Sequence, residues 1–212
     1  MAVAQRRVRE KEARKQQILD AARDVFFERG FENTTIEEIA DRTELSKGTI
    51  YLYFPSKEEI YYTLMHLGSR ILHEMLLRAV KADLPADTLL RRLGRAYFEF
   101  YEKYPGYFRM LFLYYISPDV DQKISRELCD FCQGDAAESL ALVSGVVEKG
   151  NQQGLFRQCN PVDFALLLWS CQNGIILLGE RGDKEFLDIK VSIEKLHDTF
   201  LESMIVSLKS GR

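Results

Sequence analysis

An all-α fold is predicted for this 212-residue chain, and three observations predict it. Apolar residues recur every three or four positions through most of its length, which is the period of a helix face. The strict alternation of a half-buried strand is nearly absent. The five prolines fall at breaks in the helical period rather than inside it. About nine helices fit between those breaks.

Taken in order, Ile18, Leu19, Ala22, Val25 and Phe26 form one face of a first helix over residues 9–29, and Gly30 ends it. Thr35 and Glu38 make a capping box, so a second helix starts at Ile36. Ser46 caps a third, which must end by Phe54 because Pro55 disfavours helical geometry in the residue before it. Helices this short need a shared core, and Ile36, Ile39, Ala40, Leu45, Ile50 and Phe54 can supply it. Ser56 and Glu59 form another capping box at the head of a long fourth helix that runs to about Lys81.

Pro85 or Asp87 opens the next helix, with Leu90, Leu93, Tyr97, Phe100 and Tyr104 on one side. Pro105 and Gly106 then interrupt, and residues 107–117 form a short aromatic helix. Pro118 and Asp119 start a long helix that ends near Gly150 or Gly154. Pro161 suits the first turn of a helix that is apolar on every side from Phe164 to Trp169. After the turn at Gly179 and Gly182, a last helix spans residues 184–209.

Composition narrows the possible roles. At 46% hydrophobic the chain folds rather than staying disordered, and its net charge of -3 implies no strongly charged partner overall. The distribution is uneven, however. Residues 6–15 hold Arg6, Arg7, Arg9, Lys11, Arg14 and Lys15 against only Glu10 and Glu12, a basic arm of the kind that binds phosphates. No signal peptide heads the chain, the four cysteines suggest no disulfide framework, and residues 164–179 are too short and too interrupted to span a bilayer comfortably. A cytoplasmic protein without a membrane partner is expected. Cys129 and Cys132 form C-x-x-C with no second pair, and no Gly-rich phosphate loop, nucleophile elbow or H-E-x-x-H occurs. Neither enzyme activity nor a metal or cofactor is expected.

The stretch 34–54, TTIEEIADRTELSKGTIYLYF, carries a resemblance. Together with Ile18-Leu19, Ala22, Phe26 and Gly30 before it, and Ser56-Lys57-Glu58 after it, it resembles the tetracycline-repressor (TetR) family of transcription regulators. The resemblance implies a DNA-binding domain over residues 1–60, with a helix-turn-helix at about 35–54. It also implies an effector-binding and dimerisation domain over residues 61–212. The third helix would then enter the major groove. Lys47, Gly48 and Thr49 occupy its first turn, where base edges are normally reached. Lys47 can donate to a guanine edge or a phosphate, and Thr49 can offer a methyl or a hydroxyl. Gly48 costs about 1 kcal/mol of helix propensity against Ala, which close approach to DNA would explain. Thr35, Ser46, Tyr51, Tyr53 and Lys57 are the remaining candidate contacts, chiefly to phosphates.

The family also implies a symmetric dimer through the last two helices, with Asp163, Gln172, Asn173 and Glu194 as polar breaks that keep the register. Its C-terminal bundle usually holds a small-molecule effector. Tyr101, Tyr104, Phe108, Phe112, Trp169, Gln172 and Asn173 could line a pocket for an apolar or aromatic one, or simply pack the core. The functional expectation is a repressor that binds palindromic operator DNA as a homodimer and is released by that effector. A ligand-independent regulator or activator is the alternative, and so is a helical dimeric protein that no longer binds DNA.

Overall fold

The computed structural model describes residues 2–112, 123–180 and 192–209. Among them are nine α-helices and no strand beyond a single antiparallel bridge between Phe156 and Lys209. They are α1 (Ala2–Arg29), α2 (Ile36–Thr43), α3 (Lys47–Tyr53), α4 (Lys57–Val80), α5 (Ala86–Lys103), α6 (Pro105–Phe112), α7 (Arg126–Gln152), α8 (Pro161–Glu180) and α9 (Ile193–Leu208).

Several boundaries differ from the sequence reading for local reasons. The first helix begins at Ala2 rather than Arg9, so the basic arm is itself helical, with Arg6 paired to Glu10 one turn on at 2.7 Å. Pro105 opens α6 instead of interrupting, as its missing N–H allows at a first-turn position. The helix expected from Pro118 is described from Arg126, and residues 118–122 lie outside the described residues, as do Tyr114, Tyr115 and Gly182. The last helix starts at Ile193, capped by the Ser192 hydroxyl on the Lys195 N–H, and residues 184–191 are likewise outside the described ones. Ser56 does cap α4 through the Glu59 N–H at 2.9 Å, but the reciprocal half of that box is missing. The Glu59 carboxylate reaches Ser125 instead, where it accepts from the N–H at 2.7 Å and the hydroxyl at 2.8 Å.

The described residues divide into two compact units, Met1–Ser69 with Arg109–Gln133, and Arg70–Phe108 with Gly134–Arg212. The first is built on α1 to α3 and the start of α4. Ile18, Ala22 and Phe26 of α1, Ile39 of α2, Ile50 of α3, Phe54, and Ile60, Tyr61 and Leu64 of α4 are all fully buried or nearly so, and α2 packs on both α1 and α3. Tyr61 is the centre of an aromatic knot: Phe26 and Phe31 approach its ring edge-on at 5.2 and 4.8 Å, and its hydroxyl donates to the Met110 carbonyl. In the second unit α5 and α8 both pack on α9. Leu90, Leu93 and Phe100 of α5, Leu168 and Ile176 of α8, and Leu201, Ile205 and Leu208 of α9 form its core. Near the end of α7, Gly150 faces the buried Phe156 so closely that a Cβ there would lie 2.0 Å from the ring.

Candidate nucleic-acid interface

Three local devices hold α2 and α3 in the first unit. The Thr35 hydroxyl accepts from the Glu38 N–H at 3.3 Å while the Glu38 carboxylate accepts from the Thr35 N–H at 2.9 Å, which satisfies two otherwise orphan donors. Between the helices the chain turns at Glu44, the only non-glycine residue among those described with left-handed backbone (φ 55°, ψ 33°). There the Leu45 N–H returns to the Ala40 carbonyl at 2.9 Å and closes α2. Ser46 then caps α3, its hydroxyl accepting from the Thr49 N–H at 3.1 Å and lying 2.9 Å from the Thr49 hydroxyl. From α1, Gln17 donates to the Thr43 carbonyl, and Arg42 of α2 makes a two-point bond to Glu28.

With Ile50 buried at its centre, α3 turns the rest of its surface outward. Lys47, Gly48 and Tyr51 are exposed, and Thr49 and Tyr53 are half-buried. Leu52 is 82% exposed, the most exposed large apolar side chain among the described residues. The sequence reading passed over it, although its place one residue from the outward Tyr51 and two from the buried Ile50 put it on the open face. The Lys47 ammonium is paired with Glu37 of α2, both on the surface. A Cβ at Gly48 would meet nothing nearer than the Ser46 hydroxyl oxygen at 3.7 Å, an ordinary contact. Folding of the chain therefore does not require glycine at this position.

Lys57 is placed differently from the other candidates. Its ammonium donates to the carbonyls of Phe31 and Thr34, each at 2.8 Å, and lies 4.1 Å from the centre of the Phe31 ring. Burial pushes its pKa down. Two of its three N–H donors thus tie the link between α1 and α2, and one remains for an outside acceptor.

The residues considered for an effector pocket do not form one group. In the second unit, Trp169 donates to the Tyr97 hydroxyl at 3.1 Å, and that hydroxyl donates to the Asn173 side-chain carbonyl. Burial drives the Tyr97 pKa far up, against the two hydrogen bonds, so the phenol stays neutral. Gln172 is buried and lies 3.0 Å from the ring nitrogen of His197, which stacks on Phe98. Tyr101 packs edge-on to the buried Phe108 at 5.2 Å. Tyr104 is 38% exposed, and Phe112 falls in the first unit. The hub of this cluster is Tyr97, which the helical period places on the apolar side of α5 and which is not among the expected lining residues. Gln172 and Asn173 were also expected to break a dimer seam. Within one chain the buried Gln172 pairs with His197 and the half-buried Asn173 accepts from Tyr97, so both amides have a partner of their own.

The outward side of α8 is apolar. Val162, Leu166, Leu167, Trp169, Leu177 and Leu178 are each more than a third exposed. Among the described residues α8 is also the one helix long and apolar enough to cross a membrane.

The family model described as "Bacterial regulatory proteins, tetR family" matches residues 18–62, the stretch that contains these helices. The transcriptional activator FasR of Mycolicibacterium smegmatis is 31% identical over 123 residues, 56% of this chain and 56% of FasR, so the chain spans little more than half the length of that relative. Among solved structures, FadR of Bacillus subtilis in complex with stearoyl-CoA superposes with a TM-score of 0.72 at 20% identity, covering 91% of this chain and 98% of FadR. AibR in complex with isovaleryl coenzyme A and operator DNA superposes at 0.67 and 20% identity, covering 90% and 97%. At such identities the two superpositions speak for the fold. The match runs from the middle of α1 into the first turns of α4 and contains the capped helix pair, so residues 18–62 are similar to the tetR family of bacterial regulatory proteins, and the described residues share the fold of these two solved regulators.

Proposed function

We propose that the protein is a sequence-specific transcriptional regulator that reads double-stranded operator DNA with α3. The observation that carries this is the outward face of that helix. Lys47, Gly48 and Tyr51 are open to solvent while the caps and the buried Ile50 hold the helix from behind. A glycine with room for a methyl group, at a cost in helix propensity of about 1 kcal/mol, fits close approach by an outside surface. Base contacts from Lys47 and Thr49 and phosphate contacts from Thr35, Ser46, Tyr51, Tyr53 and the free donor of Lys57 form the proposed interface. The helical basic arm at the start of α1 adds charge that this face lacks, since Glu37 offsets Lys47.

The DNA-binding part is residues 1–60, and residues 61–212 serve dimerisation and effector binding. The uncovered apolar side of α8 supports a homodimer: a row of leucine, valine and tryptophan side chains on a helix finds cover against a second copy related by a two-fold axis. Operator binding by such a dimer requires a palindromic site. Repression released by a small apolar or aromatic effector is the mode favoured here, and the ligand must bind the two head spacings with different affinity to act. The relative FasR is an activator, which keeps activation as the second reading. A cytoplasmic location follows from the DNA target.

Selection of bound DNA from a random pool tests the reading. A two-fold symmetric consensus supports it, and recovery of no enriched sequence overturns it. Lys47→Ala then separates the roles of that residue. A loss of about 1–3 kcal/mol confined to the consensus marks a base contact, and a uniform loss with a shallower salt dependence marks a phosphate contact.

A further inference from the structure

The second unit carries a groove whose chemistry differs from that of the aromatic interior. It lies between the end of α4 and the outer side of α5, and its volume is about 450 Å³. Arg78 of α4 and Arg92, Arg95 and Lys103 of α5 line it, with Glu99 as the only carboxylate. Lys103 is paired with Glu99 and Arg78 with Glu74. Arg92 and Arg95 make no hydrogen bond or ion pair among the described residues and are exposed. At a spacing of three on one helix face, their Cβ atoms sit about 5–6 Å apart, close enough for both guanidinium groups to reach a single ligand. The remaining lining is small or apolar (Met75, Ala79 and Ala96), with the partly exposed ring of Tyr104 beside it.

We propose that this groove binds a phosphate-bearing small molecule, with the phosphate on Arg92 and Arg95 and the rest of the ligand along Ala96 towards Tyr104. Guanidinium groups match phosphate oxygens with paired, charge-assisted hydrogen bonds. With Arg78 held by Glu74 and Lys103 by Glu99, the two guanidinium groups left open, Arg92 and Arg95, suit a group of more than one negative charge better than a lone carboxylate. The site rests on the groove's own residues and not on the DNA-binding reading. The sequence held a trace of it: Arg92, Arg95, Glu99 and Lys103 recur at helical spacing along α5.

Calorimetric titration of the full chain with inorganic pyrophosphate and with ADP tests the proposal, beside the double variant Arg92→Glu/Arg95→Glu. One saturable site is expected for at least one probe, weakened by about ten-fold or more in the double variant, with thermal unfolding and DNA affinity unchanged. ADP binding tighter than pyrophosphate, with that advantage lost in Tyr104→Ala, identifies a nucleotide-like ligand; equal affinities identify phosphate alone. No saturation by either probe overturns the proposal. So does binding that survives in the double variant, because the anion then sits elsewhere, for instance on the basic arm. If the double variant loses DNA affinity instead, the arginines contact nucleic acid and the small-molecule site falls.

Discussion

The Lys57 ammonium and the Thr34 carbonyl are 2.8 Å apart, and this bond, with its twin to Phe31, ties the first turn of α4 to the link before α2. Lys57→Ala should therefore lower thermal stability in the absence of any DNA, by about 1–3 kcal/mol, since it leaves two carbonyls without their charged donor. Lys57→Arg should recover little, because a planar fork does not fit two carbonyls held by a compact ammonium. Thermal unfolding of the free protein decides the matter: an unchanged midpoint would return Lys57 to a role in DNA contact alone.

Gly48→Ala should separate folding from recognition. The added methyl has room, so the variant should be as stable as the parent or up to about 1 kcal/mol more stable. Its affinity for the selected operator should nevertheless fall. Glu37→Gln should act in the opposite sense, as it frees the Lys47 ammonium and removes a negative charge from the same face. Fluorescence anisotropy with labelled operator, beside melting curves, reads both effects.

Glu44 holds a left-handed backbone that side chains resist, at a cost on the order of 1 kcal/mol. Glu44→Gly should raise the denaturation midpoint of the head, offset in part by the greater freedom of glycine in the unfolded chain. Denaturant titration at constant slope is the check. A lower midpoint would mean that the glutamate side chain contributes more than its backbone costs.

His197 ties stability to pH. Burial lowers its pKa from the ordinary 6.5, assisted by the charge of Arg95 and opposed by Asp198, whose carboxylate lies 3.9 Å away. The unfolded chain then binds more protons than the folded one as the pH falls below that value, so stability is complete above it and declines on acidification towards the depressed folded value. Unfolding free energies between about pH 7.5 and 5.5 should decline less in His197→Gln than in the parent. Parallel slopes would remove the histidine as the cause.

The sequence made some parts of this structure legible and hid others. Caps and apolar spacing are local, so the box at Thr35, the Ser46 cap and the end of α3 before Pro55 could be read directly from neighbouring residues. What failed to appear were partnerships across long separations. Glu59 has the spacing of a box partner for Ser56, yet its carboxylate goes to Ser125, 66 residues on. Lys57 reads as a surface cation until the carbonyls of Phe31 and Thr34 are brought beneath it. Gln172 and Asn173 interrupt an apolar helix in either reading, and only the positions of His197 and Tyr97 decide which way they turn.

With those two amides bonded within their own chain, Asp163 and Ser170 are the only exposed polar side chains on α8. Plain leucine and valine surfaces discriminate weakly between similar partners, because they carry no charge or amide that a wrong partner would leave unpaired. If this side joins two copies, fidelity to its own kind must come from shape and from groups at the margin such as the exposed Asp163. A cell that makes several related chains would then face cross-pairing, in which hybrid dimers carry two unlike reading heads and suit neither parental palindrome.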